Sequence, residues 1–134
     1  MRNISTIILI KDNGDALLQL RDNVPHITNP NIWTFPGGCK EDEEDFYVAA
    51  IRELKEETGY ISKKLKFLGK HFIKQSDLTN ETIYFFMDIY DGVQKISCYE
   101  GQKMEFTSRN EADTKNLSNF LIKFWDKAIK EINK

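Results

Sequence analysis

The sequence is poor in the residues that would make most function classes easy to assign. It holds two histidines and two cysteines in 134 residues, and neither His26 nor His71 has a partner at metal-ligand spacing, so a zinc site is not expected. Cys39 and Cys98 make at most one pair, and a chain able to pack its own core is expected to keep them as reduced thiols. No apolar run approaches the ~18 residues that span a membrane, and MRNISTIILIKDNGD has no small-residue cleavage site after its short apolar stretch. A cytoplasmic protein without a membrane partner is the expectation. Charge of one sign is also missing. The 19 basic and 21 acidic residues give a formal charge of -2, so no overall field draws the chain to a nucleic-acid polymer. A metal, if one binds, takes oxygen ligands. Repeats and low-complexity linkers are absent, and Pro and Gly fall between periodic segments.

What is present suits a single domain over residues 1–134, with 40% hydrophobic residues available for one core. ISTIILIK and ALLQLRD read as strands joined by the hairpin turn DNGD. A loop, NVPHITNPN, leads to a short strand IWTF that stops at Pro36-Gly37-Gly38. A helix is expected from about Asp45 to Thr58, ended by Gly59. KLKFLGKHFIKQ and ETIYFFMDIY are strand candidates, and QKISCYEGQKMEFTS reads as strand, loop and short strand. From about Asn116, apolar residues at helical spacing, Phe124 and Trp125 among them, predict an amphipathic C-terminal helix. The pattern describes an α+β fold, with helices packed on a mixed β-sheet.

The middle helix carries the chemistry. At ~100° per residue, Glu53, Glu56 and Glu57 share one sector. Like charges at this spacing each cost a few tenths of a kcal/mol, about the size of an opposite-charge pair's gain, and more if the face is buried. Lys55 points away, and the last turns of a helix favour cations, so nothing local compensates. A hard divalent cation resolves the conflict, because Mg²⁺ or Mn²⁺ takes carboxylate oxygens and binds phosphates through its remaining positions. Gly37 and Gly38 allow close backbone approach, so a Gly38 carbonyl could be a further metal ligand. Arg52 sits eight positions after Glu44, and the expected role of that pair is a structural ion pair tying loop to helix.

Gly38, Glu44 and the run Arg52-Glu53-Leu54-Lys55-Glu56-Glu57-Thr58-Gly59, with WTFPGG before them, closely resemble the Nudix box. Tyr60 stands where that family prefers an aliphatic residue, a packing position outside the chemistry. The resemblance implies a Nudix-type α/β/α sandwich and hydrolysis of a nucleoside diphosphate linked to another group, by water attack on phosphorus. It implies Glu53, Glu56 and Glu57 as metal ligands, with Glu53 also a candidate base. It further implies a glutamate from a late loop, for which Glu100 is the candidate and Glu105 and Glu111 are alternatives near in sequence.

The substrate-facing residues are open. Arg21 could hold a phosphate or sugar, or be an exposed strand-end charge; Trp33 could stack on a base or belong to the core. Asn119, like Asn116, could read a base edge, or serve as a helix cap or lie exposed to solvent. WTFPGG resembles the MutT-like branch, which implies a nucleoside triphosphate such as 8-oxo-dGTP. RDNVP followed by IWTFPGG also resembles nucleotide-sugar hydrolases acting on GDP-mannose. An ADP-ribose pyrophosphatase is a weaker alternative, and a non-catalytic nucleotide-binding regulator a remote one, since such domains commonly lose the box glutamates that this chain keeps. Homodimers are common in the family, so a homodimer is an expectation from resemblance.

Overall fold

The computed structural model describes residues 2–27, 30–74 and 80–134. Its centre is β1 (Arg2–Ile10), whose run Ile7-Ile8-Leu9-Ile10 is fully buried. A strand covered on both faces has no polar side to alternate with, which is why its sequence is a continuous apolar run. β1 pairs in parallel with β6 (Glu81–Ile89) over its whole length, and β6 pairs antiparallel with β5 (Lys66–Ile73) at one edge. The other side of β1 is shared. β2 (Ala16–Leu20) joins it through the hairpin at Ile10 and Ala16, and β4 (Gly37–Cys39) pairs antiparallel with Ile4, Ser5 and Thr6. β3 (Trp33–Thr34) and β7 (Lys103–Thr107) both pair with β2. The strand order is β3-β2-β1-β6-β5.

Each face of this sheet carries a helix. α1 (Phe46–Thr58) starts at Asp45, whose Oδ1 accepts the Val48 N–H at 2.7 Å, and ends at Gly59 in the left-handed conformation, φ 82°. It lays Ala50 and Leu54 against Ile7, Leu9, Leu17 and Phe86. The small side chains of Ala49 and Ala50, both fully buried, allow the close approach. α2 (Asn119–Ile132) covers the opposite face, with Leu121, Phe124 and Trp125 against Ile8, Ile10 and Phe85. The Phe124 and Phe85 rings stack at 3.9 Å, and the Trp125 indole N–H donates to the Gly14 carbonyl at 2.9 Å, fastening the helix to the β1–β2 turn. Helix, mixed sheet and helix make an α/β/α sandwich. Among the described residues no helix is long and apolar enough to cross a membrane.

Four details differ from the sequence reading. Gly37–Cys39 form a strand, because β2 diverges from β1 and leaves the start of β1 open to a new partner. The strand expected at QKIS does not form; its backbone is claimed by the end of α1, with Ser97 N–H on the Thr58 carbonyl and Tyr99 N–H on the Glu57 carbonyl, both at 2.9 Å. The C-terminal helix begins at Asn119 rather than Asn116, after a 3-10 helix over Arg109–Thr114. The strand predicted from Lys64 to Gln75 is β5, and Gln75 lies outside the described residues.

Leu54 is the apolar bolt between α1 and the sheet. Leu54→Ala removes a fully buried side chain, and should cost about 2–5 kcal/mol of unfolding free energy, measured by chemical denaturation.

Candidate active site

The glutamate sector of α1 faces β4 and the end of β2. Glu57 is 1% exposed. Its Oε2 accepts the Gly37 N–H at 2.9 Å, and its Oε1 accepts the Gln19 side-chain amide at 3.1 Å. Glu53 lies one turn earlier with its carboxylate packed on Gly38: a Cβ at that glycine would stand 2.5 Å from Glu53 Cδ. A Cβ at Gly37 would instead meet backbone, 2.8 Å from Thr6 Cα. The two glycines have distinct tasks. Gly37 lets β4 lie on β1, and Gly38 leaves the room in which Glu53 sits.

Arg52 organises the remaining carboxylates. Its guanidinium donates to Glu44 at 2.5 and 2.9 Å, to Glu53 at 3.0 Å, and to Glu56 at 3.1 and 3.2 Å, and it also reaches the Cys39 carbonyl at 3.2 Å. These bonds hold Glu44 down to about 2, first through the Arg52 hydrogen bond. The sequence reading gave Arg52 only Glu44 as a partner. The fork also restrains two box glutamates, and its five donors make that possible.

Among the described residues, no cationic side chain pairs with Glu57. Burial pushes its carboxyl up to about 8, and the neighbouring Glu100 and Glu53 add to the rise against the Gly37 and Gln19 hydrogen bonds. Glu53 is also raised, by burial first, with Glu56 and Glu100 contributing against the pull of Arg52. Glu100 belongs to an exposed turn, yet its carboxylate acts on both Glu53 and Glu57. Glu105 is engaged elsewhere, with Lys115 at 3.3 Å, and Glu111 accepts the Ser108 hydroxyl at 3.0 Å.

Among the described residues, no group of three or more acidic, His or Cys side chains stands as a finished metal cage; Glu56 is turned to Arg52. The donor chemistry nonetheless fits a hard divalent ion. Glu53 and Glu57 are carboxylates whose affinity for protons is raised first by burial and also by the neighbouring Glu100, and a cation binding in place of those protons relieves the repulsion.

A cleft of about 160 Å³ runs beside this face, lined by Gln19, Arg21, Gly37, Gly38 and Phe120, with Arg2 also on its wall. The structure brings Arg21 to it. Trp33 packs against the core on the α2 side, with the Lys115 ammonium 4.0 Å from its ring centroid, and is not among the cleft-lining residues. Asn119 is exposed and lines a different groove with Gly69 and Lys70; because α2 starts at this residue, its neighbours Ser118 and Phe120 face the cleft instead. Gln19 carried no role in the sequence reading, and Phe120 only that of a core residue in the apolar stripe of the C-terminal helix. A lone glutamine inside the apolar strand ALLQL is a signal that could have found Gln19.

The family model of the NUDIX domain matches residues 1–125, and the chain belongs to this family. The MutT protein of Methanosarcina mazei Go1 superposes with a TM-score of 0.82 at 20% identity, over 99% of this chain and 96% of that one. An Ap4A hydrolase of C. elegans superposes with a TM-score of 0.81 at 16% identity, over 99% and 98%. Among curated proteins, Nucleoside diphosphate-linked moiety X motif 6 of Xenopus laevis is 37% identical over 60 residues, 45% of this chain and 26% of that protein. Matched stretches cover between 26% and 36% of the curated relatives' length.

Two outcomes follow from the glycines and from Glu57. Gly38→Ala should leave the unfolding midpoint nearly unchanged, because the atom displaced is a side-chain end, while Gly37→Ala should destabilise by about 1–3 kcal/mol through a backbone clash; paired denaturation curves check both. Glu57 stays protonated in the folded chain to about pH 8, whereas an unfolded glutamate ionises near ~4.3. The unfolded state therefore binds fewer protons between these values, and stability should fall as pH rises through that window in divalent-free buffer. Glu57→Gln should flatten this slope in thermal melts between pH ~5 and ~8.

Proposed function

We propose that this chain is a Mg²⁺- or Mn²⁺-dependent hydrolase of nucleoside diphosphate-linked compounds, acting in the cytoplasm on a nucleoside triphosphate, oxidised forms such as 8-oxo-dGTP included. The observation that carries the reading is the buried Glu57 carboxylate, pressed by Glu53 and Glu100 beside a cleft that also holds Arg21. Membership of the NUDIX family supports it. So does the shared fold with a MutT protein, and the name of the Xenopus relative points to the same kind of compound. The retained Glu53, Glu56 and Glu57 speak against a non-catalytic regulator.

The divalent ion, when bound, would neutralise the pyrophosphate and lower the pKa of the attacking water. Glu53, Glu56 and Glu57 would hold it through carboxylate oxygens, with the Gly38 carbonyl as a further ligand. Glu57 is kept in place by the Gly37 N–H and Gln19 amide. Glu56 must leave part of its contact with Arg52, which keeps Glu44 as a fixed anchor meanwhile. Either Glu53 or Glu100 would take the proton of the attacking water. The water oxygen bonds to phosphorus, the bridging P–O bond breaks, and a triphosphate yields a nucleoside monophosphate and pyrophosphate. Arg21, which lines the cleft, would hold a phosphate of the substrate.

Purified protein with Mg²⁺ and a panel of triphosphates, GDP-mannose and ADP-ribose, read by product mass, tests this reading. Monophosphate and pyrophosphate from a triphosphate is the expected result. Sugar phosphate as the main product would move the substrate to the nucleotide sugars, and no hydrolysis of any member would sink the enzyme reading. Glu56→Gln and Glu57→Gln should each lower kcat by a factor of about 10²–10³ with the fold retained by circular dichroism.

A further inference from the structure

Gln19 touches both halves of the carboxylate cluster. It lies on β2 between Leu18 and Leu20 and is 3% exposed. Its side-chain amide donates to Glu57 Oε1 at 3.1 Å and to the main-chain oxygen of Glu100 at 3.0 Å. An amide has two N–H hydrogens, so both bonds form at once. The turn that carries Glu100 closes directly over this residue. Its ends are pinned by Tyr99 N–H on the Glu57 carbonyl at 2.9 Å and Gln102 N–H on the Leu20 carbonyl at 2.8 Å. Gly101, at φ +86°, rests on the Gln19 stem: a Cβ there would lie 2.7 Å from the Leu20 oxygen and 2.9 Å from Gln19 Cγ.

We propose that Gln19 is a positioning residue that fixes the Glu100 carboxylate relative to Glu57, by bonding the side chain of one and the main chain of the other. This rests on the hydrolase reading above. A strand is a rigid place from which to aim two groups on separate segments, and the same amide serves both. Without it, Glu57 Oε1 loses a donor and the Glu100 main-chain oxygen keeps the Cys98 thiol at 3.3 Å, a contact internal to the turn, so the turn is no longer tied to β2 at its centre and its end bonds open more readily. Glu100 then has no fixed place beside the other two carboxylates. A buried glutamine that served stability alone would lower the folded fraction without linking its effect to Glu100.

The test is a double-mutant cycle of Gln19→Met and Glu100→Gln, read as kcat and KM on a substrate found by the panel. Each single change should lower kcat by about tenfold or more, with KM within about twofold, and the double variant should be no slower than the worse single one. Multiplicative losses, or a loss confined to KM, would overturn the proposal. Gln19→Glu keeps the shape and removes the donor nitrogen, so it should lose kcat as well; wild-type turnover in that variant is equally fatal, and it covers the case in which Gln19→Met fails to fold. Amide hydrogen exchange supplies an arm independent of turnover. Tyr99 and Gln102 should exchange faster in whichever Gln19 variant folds, and unchanged exchange contradicts the positioning role. If the wild-type chain hydrolyses nothing while exchange accelerates as stated, the hydrolase reading fails and the tie through Gln19 stands.

Discussion

A carboxylate buried among other carboxylates is the constraint around which this molecule is arranged. Glu57 is almost wholly removed from water and has two acidic neighbours, Glu53 and Glu100. Two unit charges ~4 Å apart interact by roughly 4 kcal/mol at an effective dielectric near ~20, so such a group stays protonated or needs a cation. Its hydrogen bonds come from β4 and β2, which reach it only because β2 turns away from β1 and lets Gly37–Cys39 pair there instead. The irregularity in the sheet and the site are therefore one feature. A regular β1–β2 ladder would leave no place for the Gly37 N–H.

Arg52 is the counterweight. One guanidinium serves Glu44, Glu53 and Glu56, and the most buried box glutamate, Glu57, does without it. The distribution leaves repulsion at Glu57, where under the proposed function a cation and a polyphosphate would enter, and relieves it at Glu44 in the loop before α1. Gly38 completes the separation: it gives Glu53 room without displacing backbone. Rigid neighbours hold Glu57, and exchangeable ones hold Glu56. Under the proposed function, that difference would let Glu56 reorganise toward a metal-bound substrate while Glu57 stays in place.

Much of this was legible in the residues because it is local. The 3.6-residue period put three glutamates on one sector, Asp45 and Gly59 marked the helix ends, and the apolar run of β1 announced a strand. What escaped depends on distant pairing. β4 has only three residues and no apolar pattern, and it is a strand because β1 offers it an edge. QKIS has strand-like residues, but the carbonyls at the end of α1 were nearer partners than any ladder. Asn119 is exposed, one of the roles expected of it, and lines a different groove, while Phe120 lines the cleft. Gln19 is the instructive miss, since its meaning lies in residues 38 and 81 positions away.

The most direct measurement is a carbon-detected NMR titration of the Glu57 carboxyl group in divalent-free buffer, repeated with Mg²⁺. A midpoint near 8 without the ion, falling when Mg²⁺ is added, is the predicted result. A midpoint in the ordinary carboxylate range near ~4.3, unmoved by Mg²⁺, would contradict the view that this buried cluster is held ready for a cation.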